Sequence, residues 1–152
     1  MRIWIDTEFN SFQGDLISLG MIAEDGNYLY VVRKDIENMN IDPWVAEFVM
    51  PHLYTAPGGE DVEPVSDMIL RERLQRYLNR YEEVEIIADW PDDIRHLCGV
   101  LITKPGWMIN LPTAFRFTLN RSLSGVSQIP HNALYDAIGN MQQTLTEELE
   151  VK

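Results

Sequence analysis

The sequence predicts an α/β fold, a five-stranded mixed sheet with helices on both faces. Three observations carry this reading. Three apolar runs follow one another over residues 3–32 with only turn residues between them, the pattern of an antiparallel meander. Apolar residues then recur at helical spacing over 65–81, 94–101 and from about 130 onward. Two further apolar runs lie between these helical stretches, so they join the sheet through crossovers and run parallel to the first strand. At 152 residues the chain is expected to form a single domain spanning 1–152, long enough to bury roughly two-thirds of its unfolded-chain surface.

Ile3, Trp4 and Ile5 are the β-branched and aromatic residues of a buried strand. After a turn over 10–15, Leu16 to Ala23 form a second apolar run. It ends at Glu24-Asp25-Gly26-Asn27, whose Asp-Gly pair is a strong hairpin signal. Tyr28 to Val32 make the third strand. Asp42 followed by Pro43 marks a helix start, with Trp44, Val45, Phe48 and Val49 on one face and Pro51 at its end. Residues 57–63 read as an exposed loop. The clearest helix is predicted over 65–81, where Val65, Met68, Ile69, Leu70, Leu74, Tyr77, Leu78 and Tyr81 form an apolar stripe. Arg71, Arg73, Arg76 and Arg80 lie mostly off it and read as a solvated face, with phosphate binding as the alternative.

Val84 to Ala88 make the fourth strand, followed by the acidic turn Asp89-Trp90-Pro91-Asp92-Asp93 and a helix marked by Ile94, Leu97, Cys98 and Leu101. A short fifth strand is expected at 106–110. Residues 111–129 are expected to form a loop with some helix on the side of the functional site. The last helix opens near Pro130-His131 and runs to about Glu148.

Composition narrows the class of protein. Apolar residues make up 45% and charged residues 24%, ordinary for a globular chain, and no run approaches the roughly 18 apolar residues of a membrane span. Acid at Asp6 comes too early for a secretory signal. The lone Cys98, read as a core thiol, allows neither an internal disulfide nor a cysteine metal site. These features lead to the expectation of a cytoplasmic protein. A net charge of −12 is unfavourable for gripping long nucleic acid by phosphate neutralisation, but it suits binding of cations, or of short anionic substrates through them.

The chemistry concentrates at strand ends. Asp6 and Glu8 are two apart on an extended segment, so they face one way, and a divalent cation would relieve their repulsion. Taken alone, Asp6 would read as a turn residue and Glu8 as solvated. The fourth strand ends in a second acidic group. In isolation Asp89 reads as an N-cap, and Asp92 and Asp93 as favourable charges at the helix N-terminus. Near the start of the last helix stands Asp136, five residues after His131.

Trp4-Ile5-Asp6-Thr7-Glu8-Phe9, then Asp93 with Leu97 four residues on, then His131-Asn132-Ala133-Leu134-Tyr135-Asp136-Ala137 closely resemble the three motifs of the DEDDh 3′–5′ exonucleases, in their order and on their elements. These enzymes have the ribonuclease H-like fold. The likeness spans residues 2–145 and is strongest to the small bacterial and phage exoribonucleases. It implies a ribonuclease H-like sheet and two divalent cations, Mg²⁺ or Mn²⁺, held by oxygen ligands. Asp6 would bridge the two ions, Glu8 and Asp136 would complete one site, and Asp93 would serve the other, with Asp89 as the alternative middle ligand. His131 would act as general base for the attacking water, a role that suits imidazole at neutral pH.

The resemblance further implies release of nucleoside 5′-monophosphates from single-stranded 3′ ends, with RNA favoured over DNA. It also implies a homodimer, while the lack of a long apolar run leads to the expectation of no membrane partner. Phe9 would contact the terminal base, while Trp44 and Trp90 read either as stacking surfaces or as core. The competing readings are a metal-binding relative without activity that acts through a partner, a two-metal phosphatase or nuclease of another type, and an acidic interaction domain without metal.

Overall fold

The structure is a computed structural model that describes residues 1–57 and 62–151. Most of the loop expected over 57–63 therefore lies outside the described residues. The strands are β1 (Arg2–Phe9), β2 (Leu16–Ala23), β3 (Tyr28–Val32), β4 (Glu83–Ala88), β5 (Ile102–Lys104), β6 (Trp107–Met108) and β7 (Ala114–Leu119). Five of them form the main sheet, in the order β3-β2-β1-β4-β7. The pairs β1–β2 and β2–β3 are antiparallel, and the pairs β1–β4 and β4–β7 are parallel. This is the expected mixed sheet, and its order and directions are those of a ribonuclease H-like fold.

The helices α1 (Pro43–Phe48), α2 (Asp67–Leu78), α3 (Pro91–Leu101) and α4 (Ala133–Glu150) complete the fold. On one face, Ile3, Ile5, Leu19, Met21 and Ile86 pack with Leu74, Leu78, Leu97 and Leu101 of α2 and α3. On the other, Trp4, Ile22 and Ile87 pack with Ala137 of α4. The alternation of β1 sorts its polar residues between these faces. Trp4, Asp6 and Glu8 share the α4 side, and Thr7 goes to the α3 side with Ile3 and Ile5.

The meander and the helices α1, α3 and α4 form where the sequence predicts them, with boundary differences set by capping. The second helix begins at Asp67 rather than Val65, because Ser66 caps it and Val65 instead bridges to Arg33 beside β3. The third helix starts after Trp90, which makes no side-chain cap, so Asp89 is not its N-cap. The last starts at Ala133, two residues later than expected from Pro130-His131.

The fifth strand required correction. Residues Trp107–Met108 do form a strand, but β6 pairs with β5 in a separate two-stranded hairpin off the end of α3. The fifth strand of the main sheet is β7, within the stretch expected to be loop with some helix. Its alternation of Phe115, Phe117 and Leu119 with Ala114, Arg116 and Thr118 is the period of a strand, masked in the sequence by Arg116 and the serines beyond it. Cys98 is only partly buried, so it is not a core thiol.

Candidate metal centre

Two groups of three carboxylates share Asp6. Ligand oxygens of Asp6, Glu8 and Asp136 lie within 4.8 Å of one another, and so do those of Asp6, Asp89 and Asp93. Each acid arrives by a separate local device. Asp6 and Glu8 follow from the alternation of β1. Asp89 sits where β4 ends, one strand over. Asp93 is brought in by the first turn of α3 and is 2% exposed. Its Oδ1 accepts the Thr7 backbone N–H at 2.9 Å and the Thr7 hydroxyl at 2.6 Å, a clamp between β1 and α3.

Asp136 depends on how α4 meets the sheet. Gly20 of β2 is the cross-strand partner of Asp6. A Cβ there would lie 2.3 Å from the Ala133 carbonyl carbon and the Leu134 nitrogen, so only glycine lets the first turn of α4 approach this closely. Asn132, fully buried, caps that turn by accepting from the backbone N–H of Leu134 and Tyr135 at 3.2 and 3.3 Å. Its amide nitrogen donates to the carbonyls of His52 and Thr55 at 2.8 and 3.0 Å, tying α4 to the segment after α1. His131 reaches the cap with φ 64°, in the left-handed region, and its backbone N–H donates to Asp136 Oδ2 at 3.1 Å.

The electrostatics come from assembling these acids. Burial, then the neighbouring charges of Asp93, Glu8, Asp136 and Asp89, push the Asp6 carboxyl well above its ordinary range. Burial and Asp136 raise Glu8 to about 8. Burial raises Asp93 to about 7, against the lowering effect of the Thr7 hydrogen bonds. Asp136 is raised by burial as well. A cluster of this kind holds protons until positive charge replaces them.

The donor set fits a divalent cation on independent grounds. Among the described residues, Asp89 Oδ1 and Asp93 Oδ2 are buried without any hydrogen-bond partner. Unpartnered buried carboxylate oxygens are costly, and both belong to residues of the group shared with Asp6. All the candidate donors are carboxylate oxygens, the kind that hard divalent cations take. These acidic groups could hold metal ions.

Of the residues singled out from the sequence, Asp6, Glu8, Asp93 and Asp136 come together. Asp89, the alternative to Asp93, joins the cluster beside it. Asp92 does not join: it accepts from Trp90 Nε1 and from Arg95 Nε, at 3.0 and 2.8 Å. The His131 ring stands edge-on to Trp44, with centroids 5.2 Å apart. Trp44 in turn lines a cavity of about 290 Å³ with Glu8, Phe9 and Phe12. Trp44 and Trp90 are 52% and 48% exposed, so neither is core. Thr7, Gly20 and Asn132 had no role assigned from sequence. Asn132 was legible as an N-cap ahead of an apolar run, whereas the tasks of Thr7 and Gly20 exist only once the strands and helices are packed.

No family model matches the chain. Two curated proteins of Mycobacterium tuberculosis, from strains CDC 1551 / Oshkosh and ATCC 25618 / H37Rv, are each named a 3′–5′ exoribonuclease. Each is 38% identical to this chain over 55 residues, which is 35% of this chain and 33% of the relative. The similarity is thus partial, spanning about a third of the length of the curated relatives. Among the described residues, no helix is long and apolar enough to cross a membrane.

Proposed function

We propose that the chain is a metal-dependent 3′–5′ exonuclease that removes nucleoside 5′-monophosphates from single-stranded 3′ ends, RNA favoured. The observation that carries this reading is the pair of carboxylate triads sharing Asp6, with unpartnered buried oxygens on Asp89 and Asp93. The activity named for the two partial relatives and the order of the sequence motifs support it.

In this reading Asp6 is common to two cation sites, Glu8 and Asp136 complete one, and Asp93, with Asp89 beside it, completes the other. Held by these residues, divalent cations would supply positive charge to the scissile phosphodiester and so let an acidic protein bind an anion. The chain's own residues do the rest. Thr7 keeps Asp93 in place through its two hydrogen bonds. Phe9, Phe12 and Trp44 offer the terminal nucleoside aromatic surface in the cavity that Glu8 also lines. His131, set against Trp44, takes a proton from the attacking water as the P–O3′ bond breaks. The water oxygen bonds to phosphorus and goes with the released 5′-monophosphate, while the O3′ oxygen leaves with the bond's electron pair and takes a proton from solvent to become the 3′ hydroxyl of the shortened strand. A homodimer and a cytoplasmic setting belong to the same proposal.

The test is cleavage of a 5′-labelled single-stranded RNA and its DNA counterpart with Mn²⁺, with Mg²⁺ and with chelator, beside a His131→Ala variant. A ladder shortening by one nucleotide at a time, abolished by chelator and by the variant, supports the proposal. Intact substrate under every condition, with Mn²⁺ still raising thermal stability, would replace it with a metal-binding protein that acts through a partner.

A further inference from the structure

A second cavity, of about 270 Å³, lies between the 10–15 turn, α2 and α3. It adjoins the first through an aromatic wall, since Phe9 of the first packs on His96 of the second with ring centroids 4.8 Å apart. Three of the chain's twelve Lys and Arg residues line it, Arg33, Arg71 and Arg95. Two acids, Asp15 and Asp67, line it as well, and Arg33 and Arg95 are also paired with Asp35 and Asp92, so among the described residues the cation of these three left without a carboxylate partner is Arg71.

The acids offset Arg33 and Arg95 and leave Arg71. Asp67 is taken up by Arg33 through paired bonds of 2.8 and 3.0 Å, and Asp15 is exposed on the turn. Arg33 also donates to the Leu16 carbonyl, so it serves as a fixed strut. Arg71 is differently placed. Its Nε donates to the Val100 carbonyl at 3.0 Å, and among the described residues its two terminal nitrogens have no hydrogen-bond partner. Arg95 gives its Nε to Asp92 and one terminal nitrogen to His96 Nε2 at 2.9 Å. A guanidinium only donates, so His96 Nε2 accepts and the ring is neutral, with its proton on Nδ1. Burial, then Arg95, lowers the His96 pKa to about 4, in keeping with that tautomer.

Gly99 offers room for a larger side chain at the cavity. It lies inside α3, lines the cavity, and a Cβ there would meet nothing within 4 Å. Glycine weakens a helix interior relative to alanine, and packing does not demand it here.

We propose that this cavity binds a small phosphate-bearing anion, held by the guanidinium groups of Arg71 and Arg95 with His96 as a neutral donor. The open fork of Arg71 on one helix, the remaining terminal nitrogen of Arg95 on another and a separate N–H match an anion with three acceptor oxygens better than a planar carboxylate with two. The phosphate has two sources, a bound strand or a free nucleoside 5′-monophosphate. The site is independent of the nuclease proposal, because its test involves no cleavage and no metal.

The test is calorimetric titration of the full chain in chelator with inorganic phosphate, with a nucleoside 5′-monophosphate and with a short single-stranded oligonucleotide. Arg71→Met removes the open fork, and Gly99→Leu fills the cavity from an exposed helical position without removing any contact. Both are expected to stay folded by circular dichroism and to weaken phosphate binding about tenfold or more, whereas Asp6→Asn leaves it within about twofold. Parallel weakening for the oligonucleotide assigns the site to a strand phosphate, and weakening confined to phosphate and the mononucleotide assigns it to a free anion. No saturable phosphate binding by the unmodified chain overturns the proposal. So does binding that survives in a folded Gly99→Leu variant.

Discussion

Gly20→Ala is a one-carbon change that tests how the centre is assembled. The added Cβ would lie 2.3 Å from the Ala133 carbonyl carbon and the Leu134 nitrogen, where ordinary contact begins near 3.4 Å. Both obstacles are backbone, so no rotamer can relieve the clash, and the first turn of α4 must withdraw by about 1 Å. Asp136 rides on that turn. Its carboxylate oxygen lies within 4.8 Å of those of Asp6 and Glu8, and a Mg²⁺ held by them, as proposed, would tolerate little departure from about 2.1 Å. Overpacking of this kind costs about 1–3 kcal/mol, and a misplacement of about 1 Å at a reacting centre costs on the order of 10²-fold in rate. On the exonuclease function proposed above, the assay pairs thermal denaturation in chelator with single-nucleotide release in Mn²⁺. The melting temperature should fall by roughly 2–12 °C, and release by about two orders of magnitude. Gly26→Ala is the control. Gly26 has φ 87° with open space around its Cβ, so alanine there strains a distant turn without touching α4, and only stability should suffer. Full activity in a folded Gly20→Ala protein would refute the claim that this close approach sets the position of Asp136.

The same geometry sets three further outcomes. Glu8 is raised to about 8 in the fold against 4.5 for the free side chain, so the folded state keeps a proton that the unfolded chain gives up. Its contribution is complete below about pH 4.5 and is lost as pH rises toward 8. In chelator, Glu8→Gln should therefore flatten the decline in stability across that window and exceed the unmodified protein by about 1–3 kcal/mol above pH 7, and parallel pH profiles in urea denaturation would count against this. Thr7→Val keeps the backbone bond to Asp93 but deletes the 2.6 Å hydroxyl bond, which should cost about 1.5–3 kcal/mol and weaken Mn²⁺ binding, measured by calorimetry. Asn132→Ala strands the His52 and Thr55 carbonyls as well as the helix cap and should destabilise by about 2–4 kcal/mol, while Asn132→Asp, which keeps a capping oxygen, should lose less if the cap dominates.

How much of the fold and the centre was readable in advance depended on whether a residue's task is local. The meander was legible because Asp25-Gly26 and the apolar runs around it specify a hairpin without help from elsewhere. Asp6 and Glu8 were legible as a pair because strand alternation alone puts them on one face. The fifth strand was not, since Ala114–Leu119 is an edge strand whose outward residues are free to be polar and whose partner lies about 30 residues back. Asp89 shows the boundary most clearly. As sequence it is a good N-cap before Trp90-Pro91, and capping and metal ligation ask for the same short carboxylate at the same kind of turn. The helix instead begins after Trp90 without a side-chain cap, Asp89 Oδ1 is left buried and unpartnered, and Asp93, one helical turn on, reaches the same Asp6. Sequence alone sets Asp89 and Asp93 against each other as alternatives, but a strand end and the first turn of the helix after it converge on one point. A cap satisfied within its own helix would have occupied that oxygen, so the missing cap leaves Asp89 Oδ1 unpartnered and available to a cation on the proposed reading.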